Sequence, residues 1–584
     1  MKKQMLCALL LVPFLVQAQE VNKKGFQKLN QLYEVAQQVM SSTQTKEAMD
    51  KTMLKLDSLQ KVVVGNPDIQ HALKLTGLDC PEAFSTCFVH SLQLQAAMQE
   101  AGKALQARGL LQTAHHKEAL MRFIQSVLLK DNDTEQRCGD EGAPFETKAQ
   151  RDKRMKWWRD AKFGMFVHYG LYSGLAGEFQ GKQYDGQAEW IQLHAGADFD
   201  TYKKETFPRF TPKPGNPTEW VKMAKNAGCK YVVLTSRHHE GFSLYNNKHS
   251  DFDVVDLKGY NLIKEYAKAC DDYGVKAGYY VSLLDWNHPD FDPRPGDIPY
   301  PKGNYEAVDR GERHFGHHEG YKEYLYNIVD DLLAQHRVDL IWWDYSFPKA
   351  EGDEAWGATR LMRHIFKVNP DIIQNNRLYC LKNHAAQGKS WVTPPWKGDF
   401  STPEQYIPAT GIDGDWETCQ TLNGTWGYSA FNQRWKTEKQ LIRELIDVVS
   451  RGGNYLLNIG PKPDGSIPEE TIRLFGEIGK WMAVNGEAIY GTEANPFNEE
   501  FKWGRVTRKD DNKFYLLVYE KPANGKIVLP CTFKRAKASL LSDGSKIRLC
   551  PSTENGTCEI DLSDATIEGP ATVIKIQGRL KTLK

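Results

Sequence analysis

The chain has 584 residues, which is too long for one ordinary domain and predicts two to four. Lys and Arg number 75 and Asp and Glu number 74, so no net charge favours nucleic acid or an anionic membrane surface. Aromatic residues make up 11% of the chain and include 15 Trp, which fill cores in most proteins but whose flat faces also suit sugar rings.

The first 18 residues have the three parts of a signal peptide. Lys2 and Lys3 precede the apolar run from Met5 to Val16, and Ala18 supplies the small residue of a cleavage site. The run is too short to span a bilayer, and no later stretch of the sequence has the ~20 apolar residues that a spanning helix needs. We therefore expect an exported protein, periplasmic or secreted, without membrane insertion.

Residues 19–130 are rich in Leu, Gln, Ala and Lys. Apolar residues such as Phe26, Leu29, Tyr33 and Ala36 recur on one helical stripe, which predicts a helical N-terminal domain. Residues 131–150 carry turn formers and charges without a period, and this composition indicates a linker.

Residues 151–491 alternate short β-rich runs with amphipathic helices. This alternation is typical of a parallel sheet wrapped by helices, and a (β/α)8-like barrel is the simplest closure. The predicted strands are Phe163–His168, Tyr231–Thr235, Lys276–Val281, Leu340–Trp343, Ile372–Asn375 and Tyr455–Ile459.

Residues 492–584 consist of short alternating runs separated by turn residues, a pattern that predicts a C-terminal antiparallel β-sandwich. The predicted strands of this domain are Phe514–Tyr519, Lys526–Leu529, Ser539–Leu541 and Thr572–Ile576.

The cysteines of the chain include no CxxC pair, which argues against a zinc knuckle or a redox dithiol. Export permits disulfides, and Cys80 with Cys87 or Cys550 with Cys558 lie close enough in sequence to pair. Buried free thiols are the equal alternative.

Polar and aromatic residues recur where the predicted barrel strands end. His168 ends the first strand, and His238 and His239 lie just beyond the second. Tyr280 lies at the end of the third strand, and Asp344 follows the fourth. In a barrel these ends open on one face, which is where barrel enzymes place their active sites. We expect these side chains to share one pocket.

Sequence blocks from about residue 155 to 495 carry a family resemblance. In chain order they are KFGMFVHYGLYS, GCKYVVLTSRHHEGFSLY, KAGYYVSLLDW, IWWDY, DWETC with WGY, and GGNYLLNIGPKPDGSIP. This series resembles the α-L-fucosidases of glycoside hydrolase family 29. Tyr169, Arg237 and Glu240 stand where that family more often has Trp, Lys and Asp, which leaves substrate preference open.

The resemblance implies a retaining exo-α-L-fucosidase that acts by double displacement on fucosylated glycans. Asp344, in the Trp342-Trp343-Asp344 motif, would be the nucleophile, since apolar neighbours hold the carboxylate rigid in a dry pocket. The plain alternative is that Asp344 caps the next helix. The acid/base would lie on a later loop, where Glu404 is favoured and Glu417 is the alternative.

The same resemblance implies a sugar pocket. Imidazoles and Glu189 would bind hydroxyls, and Trp190 or Trp342 would cover the C5-methyl of fucose. Loops 287–318 and 380–415 would set the leaving-group preference. The residues implied for substrate binding are His168, Glu189, Trp190, His238, His239, Tyr280 and Trp342.

The same residues also bear on a metal site and on two other functions. A metal site at His238 and His239 is disfavoured, because neighbouring strand residues point to opposite faces and no HExxH motif accompanies the pair. We expect no metal or cofactor. A catalytically weak fucose-binding protein would need a missing nucleophile, whereas an exo-glycosidase for a related sugar such as L-galactose stays open. The sequence does not indicate the oligomeric state.

Overall fold

The computed structural model divides the chain into two units, Met1–Lys148 and Ala149–Lys584. The predicted signal peptide and helical domain, and most of the predicted linker, lie outside the described residues. The structure describes residues 146–184, 186–291, 318–345, 352–379, 398–412, 414–497, 499–552 and 556–583.

A seven-stranded sheet in which every pairing is parallel forms the centre of the second unit. Its strand order is β7-β6-β5-β4-β1-β9-β8, so the first strand lies inside the sheet between β4 and β9. All five residues of β1 are buried, as expected for a parallel strand covered on both faces. The strands are β1 Phe163–Val167, β4 Tyr231–Arg237, β5 Lys276–Ser282, β6 Leu340–Asp344, β7 Ile373–Gln374, β8 Glu417–Gln420 and β9 Asn454–Ile459.

Helices follow the strands, as in the repeating unit of an α/β fold. A two-stranded ribbon, β2 Glu178–Phe179 with β3 Lys182–Gln183, lies between the first helices. The helices of the described residues are α1 Lys148–Ala161, α2 Leu171–Leu175, α3 Ile191–Ala195, α4 Phe199–Thr206, α5 Asn216–Ala227, α6 Val254–Lys258, α7 Leu262–Tyr273, α8 His318–Gln335, α9 Gly352–Trp356, α10 Ala358–Val368, α11 Glu438–Ser450 and α12 Glu469–Asn485.

Helix α5 shows how the sequence builds this outer layer. Pro217 lies in its first turn, where a missing N–H breaks no helical hydrogen bond, and Gly228 follows its last residue with φ 95°. Trp220, Ala224 and Ala227 recur at helical spacing and are buried in the main core. The apolar face of the helix is therefore packed onto the sheet.

The two edges of the parallel sheet are linked by a short extended segment around residue 400. Asn375, directly after β7, forms a parallel bridge with Phe400, and Ser401 forms one with Trp416, directly before β8. The sheet is therefore curled, with both edges bridged to the same segment.

The C-terminal residues form a second seven-stranded sheet, and all of its pairings are antiparallel, as predicted. Its strand order is β10-β11-β16-β13-β14-β15-β12, and strands from both ends contribute to one buried apolar cluster. The strands are β10 Gly504–Lys509, β11 Lys513–Val518, β12 Lys526–Leu529, β13 Cys531–Leu540, β14 Lys546–Ser552, β15 Thr557–Asp561 and β16 Thr572–Leu583.

This second sheet is anchored to the helices of the first. The indole N–H of Trp481, on α12, donates to the carbonyl of Ala571 at 3.1 Å. The guanidinium of Arg443, on α11, donates to the carbonyl of Pro570 at 3.0 Å. Tyr515 and Leu517 belong to the same buried cluster as the parallel sheet. The C-terminal sheet therefore supports the outer helices.

The cysteines of the described residues are free thiols, and the suggested pairing of Cys550 with Cys558 is wrong. In the ladder between β14 and β15, Cys550 lies opposite Glu559 and Cys558 lies opposite Pro551, so the two thiols are out of register. Within the described part of the chain, no helix is both long and apolar enough to cross a membrane.

Candidate active site

A cavity of about 470 Å³ opens where the parallel strands end. Parallel strands present their carboxyl ends on one rim, so side chains from distant parts of the chain meet there. Of the ten candidate site residues named from the sequence, all but Glu189 and Glu417 line it. The lining residues are Phe166, His168, Gln187, Trp190, His238, His239, Tyr280, Trp342, Asp344, Tyr345, Arg377, Glu404, Gln405, Tyr406 and Trp426.

Asp344, the last residue of β6, is hydrogen-bonded to two side chains and lies near a third. The Tyr280 hydroxyl donates to Oδ2 at 2.8 Å, and Nη1 of Arg377 donates to Oδ1 at 2.6 Å. Nε2 of His239 lies 3.8 Å from Oδ2. The carboxylate keeps 13% of its surface exposed, so it is fixed in position and still open to the pocket.

Glu404 lies on the other side of the same guanidinium. Nη2 of Arg377 donates to Oε2 of Glu404 at 2.8 Å, and the Glu404 side chain is 32% exposed. Burial lowers the pKa of Arg377, but Glu404 and Asp344 more than offset this and keep it above its usual value. One planar cation therefore joins the two carboxylates.

Glu417 occupies a different place, beneath the pocket. It is fully buried and does not line the cavity. The indole N–H of Trp342 donates to its Oε1 at 3.0 Å, and the Tyr231 hydroxyl donates to its Oε2. Burial raises the pKa of Glu417 to about 7, although these two hydrogen bonds oppose the shift. The carboxyl group supports the Trp342 ring from below.

The three histidines of the pocket are neutral at physiological pH. Burial lowers the pKa of His168 to about 3, while Nδ1 bonds to Asn458 Oδ1 at 2.7 Å. Burial and the neighbouring histidines hold the pKa of His238 well below its usual range, and burial with nearby arginines does the same for His239. Neutral imidazoles both donate and accept, which suits hydroxyl groups.

The expectation that His238 and His239 point to opposite faces is wrong. Both line the pocket, with ring centroids 4.2 Å apart. The reason is that β4 ends at Arg237, so the alternation of a strand no longer applies to the two histidines. Nδ1 of His239 is paired with Ser282 Oγ at 2.6 Å, whereas Nδ1 of His238 has no hydrogen-bond partner among the described residues.

The Glu189-Trp190 pair is divided between the pocket wall and the layer behind it. Trp190 lines the cavity and its ring contacts His239. Glu189 is buried behind the wall, where Oε2 accepts from the Gly427 backbone N–H at 2.8 Å and Oε1 has no partner among the described residues. Burial raises the pKa of Glu189 to about 7, although the hydrogen bond from the Gly427 N–H opposes this shift.

The three departures from the family pattern lie outside the lining of the pocket. Arg237 forms a buried ion pair with Asp285, with 2.6 Å between Nη1 and Oδ2. Glu240 accepts the Leu171 backbone N–H at 2.8 Å, and the Tyr169 hydroxyl donates to a backbone carbonyl at 3.0 Å. These residues therefore support the walls and do not face the space of a ligand.

Several pocket residues were missed from the sequence. Arg377 follows the short strand β7 and could have been found by the same strand-end argument that identified His168. Trp426, whose ring lies 5.1 Å from that of His168, belongs to the WGY block that carries the family resemblance but was not named as a site residue. Tyr345 and Tyr406 each lie within two residues of a predicted catalytic carboxylate.

The described residues contain no group of three or more His, Cys, Asp or Glu side chains placed to hold a metal ion. The independence of the reaction from metal stays a prediction. Activity measured in the presence of a chelator would test it.

A pocket at the carboxyl ends of a parallel sheet, with two carboxylates on one guanidinium and a lining of aromatic and neutral imidazole rings, defines a glycoside hydrolase. Residues 131–487 match the family model described as alpha-L-fucosidase. The chain belongs to the α-L-fucosidase family.

Two relatives match about two thirds to three quarters of the chain. The tissue alpha-L-fucosidase of Mus musculus is 30% identical over 417 residues, which span 66% of this chain and 82% of that protein. Alpha-L-fucosidase isoenzyme 1 from Paenibacillus thiaminolyticus is similar in structure with TM-score 0.63 and 32% identity, over 74% of this chain and 100% of that one.

A second solved structure bears on the chemistry of the family. The alpha-L-fucosidase from Bacteroides thetaiotaomicron, a trapped covalent intermediate in complex with 2-fluoro-fucosyl fluoride, is 28% identical with TM-score 0.63. The match covers 75% of this chain and 98% of that one.

Proposed function

We propose that this chain removes terminal α-L-fucosyl residues from glycans with retention, with Asp344 as nucleophile and Glu404 as acid and base. The observation that carries the proposal is the shared guanidinium of Arg377, which binds both carboxylates at 2.6 and 2.8 Å. Binding to one cation holds the two carboxyl groups at the same part of the pocket, as a reaction that uses a nucleophile and a separate acid requires.

In the first step the Asp344 carboxylate attacks the anomeric carbon as the bond to the leaving group breaks. Glu404 gives its proton to the departing oxygen. In the second step Glu404 takes a proton from water, the water oxygen attacks the anomeric carbon, and Asp344 is released as a carboxylate. The Tyr280 hydroxyl and Arg377 keep Asp344 aimed at the reacting carbon, because both bond to it directly.

Recognition of the sugar would fall to the neutral histidines and the aromatic rings. His168, His238 and His239 can bind hydroxyls without adding charge. Trp342 and Trp426, which also line the pocket, offer apolar surface for the C5-methyl group. L-Galactose carries a hydroxymethyl group at that position, so an apolar surface there favours fucose.

Two measurements test this function. The purified protein should hydrolyse an aryl α-L-fucoside much faster than the matching L-galactoside. Proton NMR at early times should show the α-anomer of fucose as the first product. Slow turnover of both aryl glycosides would favour a weak fucose-binding protein, and β-fucose as first product would exclude a retaining mechanism.

We also propose how the domains of the chain are built. The segment around residue 400, bridged to Asn375 on one side and Trp416 on the other, would supply the closing strand of a (β/α)8 barrel. The C-terminal sheet, whose two ends share one apolar cluster, would fold over as a β-sandwich. Residues 19–130 would form the helical domain.

Export is part of the proposal and rests on the first 18 residues alone. Expression of the full gene product should give a mature protein that begins after Ala18, in the periplasm or the medium. N-terminal sequencing of the secreted chain tests this, and an intact Met1 on cytoplasmic protein would contradict it.

A further inference from the structure

We infer that Tyr406 is the platform of a leaving-group subsite, on which the sugar ring attached to fucose stacks. The inference rests on the proposed function and deepens it, because it names the kind of leaving group. It assigns a pyranose ring with an apolar face, in place of an alkyl or peptide group, to the mouth of the pocket.

The chemistry of Glu404 places the leaving group beside this part of the chain. A general acid must lie within hydrogen-bond reach of the oxygen that it protonates, and that oxygen belongs to the leaving group. Tyr406 is two residues from Glu404, and both side chains line the same cavity. A sugar that departs with the protonated oxygen therefore leaves past this segment.

Among the large apolar side chains of the described residues, Tyr406 combines two properties: it is exposed and it lines the cavity. The Tyr406 side chain is 38% exposed, and it lines the cavity. A Tyr ring combines a large apolar face with a polar hydroxyl, which suits it to contact a ligand that is apolar on one side and wet on the other. The other large apolar side chains that are similarly exposed lie outside the cavity lining and are Val368, Phe431, Ile472, Val484 and Val528.

The backbone that carries this exposed ring is held firmly. The Gln405 N–H donates to the Cys419 carbonyl at 3.0 Å, and its side-chain amide donates to Thr421 Oγ1 at 2.9 Å while accepting the Thr421 N–H at 3.1 Å. The Thr418 hydroxyl donates to the Tyr406 carbonyl at 2.8 Å. The backbone at residues 405 and 406 is therefore tied to strand β8 and to the residue that follows it.

Gln405 also has φ 60°, in the left-handed region that residues other than glycine rarely adopt. Such a conformation persists when surrounding contacts over-determine it, and it clusters at ligand-binding sites. Here the side-chain and backbone bonds of Gln405 supply those contacts. Fixing the ring before the ligand arrives reduces the entropy cost of binding, which is how an exposed aromatic becomes an effective stacking surface.

The test compares two substrates that share fucose and differ in the leaving group. A fucosyl disaccharide presents a sugar ring to Tyr406, whereas α-L-fucosyl fluoride presents a single atom. Tyr406→Ala should lower the ratio of kcat/KM for the disaccharide to kcat/KM for the fluoride about tenfold, a loss typical of one aromatic contact. Tyr406→Trp should keep the ratio near the wild-type value.

Phe431→Ala is the matched control, because Phe431 is also an exposed aromatic but lies outside the cavity lining. This control should leave both substrates unchanged. An unchanged ratio in Tyr406→Ala, or an equal loss on both substrates, would overturn the subsite. Wild-type protein that fails to turn over fucosyl fluoride would instead refute the proposed function, so the two failures are distinguishable.

Discussion

Replacing Glu404 and Glu417 one at a time should separate catalysis from stability. The Glu404 side chain is 32% exposed, and its ion pair is with Arg377, which keeps Asp344 and Thr402 as partners when Glu404 is removed. Glu404→Ala should therefore cost no more than about 1 kcal/mol of unfolding free energy. A positioned general acid contributes about 10²–10⁴-fold to rate, so kcat/KM on a fucosyl disaccharide should fall at least about a hundredfold.

Glu417→Ala should have the opposite profile. It would leave the Trp342 indole N–H and the Tyr231 hydroxyl buried without their acceptor. Each unsatisfied group costs about 1–3 kcal/mol, so the variant should lose roughly 2–6 kcal/mol of unfolding free energy. Glu417→Gln keeps the side-chain volume and an acceptor oxygen, so it should stay folded and provide protein for kinetics.

The kinetic assay measures kcat/KM on the disaccharide and on an aryl fucoside with a good leaving group. Urea unfolding of each variant measures its free energy of unfolding. Glu404→Ala should affect the disaccharide far more than the aryl fucoside, because a good leaving group departs without a proton. Glu417→Gln should affect both substrates by similar factors. The reasoning is refuted if this leaving-group dependence belongs to Glu417, or if Glu404→Ala slows both substrates equally.

Three further outcomes are expected. Asp344→Ala should lose nearly all hydrolysis of an aryl fucoside and regain part of it with azide, and retention of more than about a tenth of the wild-type rate would contradict a nucleophile at this position. Treatment with EDTA should leave kcat unchanged, whereas loss with recovery on added zinc would reveal a metal requirement. Burial raises the pKa of Glu417 from its usual 4.5 to about 7, so its contribution to stability is full below pH 4.5 and is lost as the pH rises through 7. Urea unfolding across that range should therefore show Glu417→Gln gaining on the wild type as pH rises, and parallel curves would argue against the shift.

The parallel strands were predictable because their burial on both faces leaves continuous apolar runs. Phe163–Val167 and Leu340–Asp344 are examples, and the structure places both close to their predicted bounds. Strand β8, with sequence ETCQ, was not found, because its interior-facing residues are polar and no hydrophobic period marks it. Strand β10 carries Arg and Lys residues that hide its alternation.

The site was predictable as far as it depends on strand ends. His168, Tyr280 and Asp344 follow from that rule, because the carboxyl ends of parallel strands share a rim. Arg377 was missed although its strand was predicted as Ile372–Asn375, because it lies two residues beyond the predicted end of that strand. Tyr406 was missed as a pocket residue because it lies on an irregular segment, whose path depends on hydrogen bonds between residues distant in sequence.

The carboxylate that would release the leaving group and the residues that would hold fucose come from separate parts of the chain. Glu404 and Tyr406 lie together on residues 398–412, whereas His168, His238 and Asp344 lie at strand ends. Gene duplication followed by exchange of that one segment could therefore change which glycan is trimmed while leaving the choice of terminal sugar intact. Directed evolution for a new linkage should accordingly concentrate its library there.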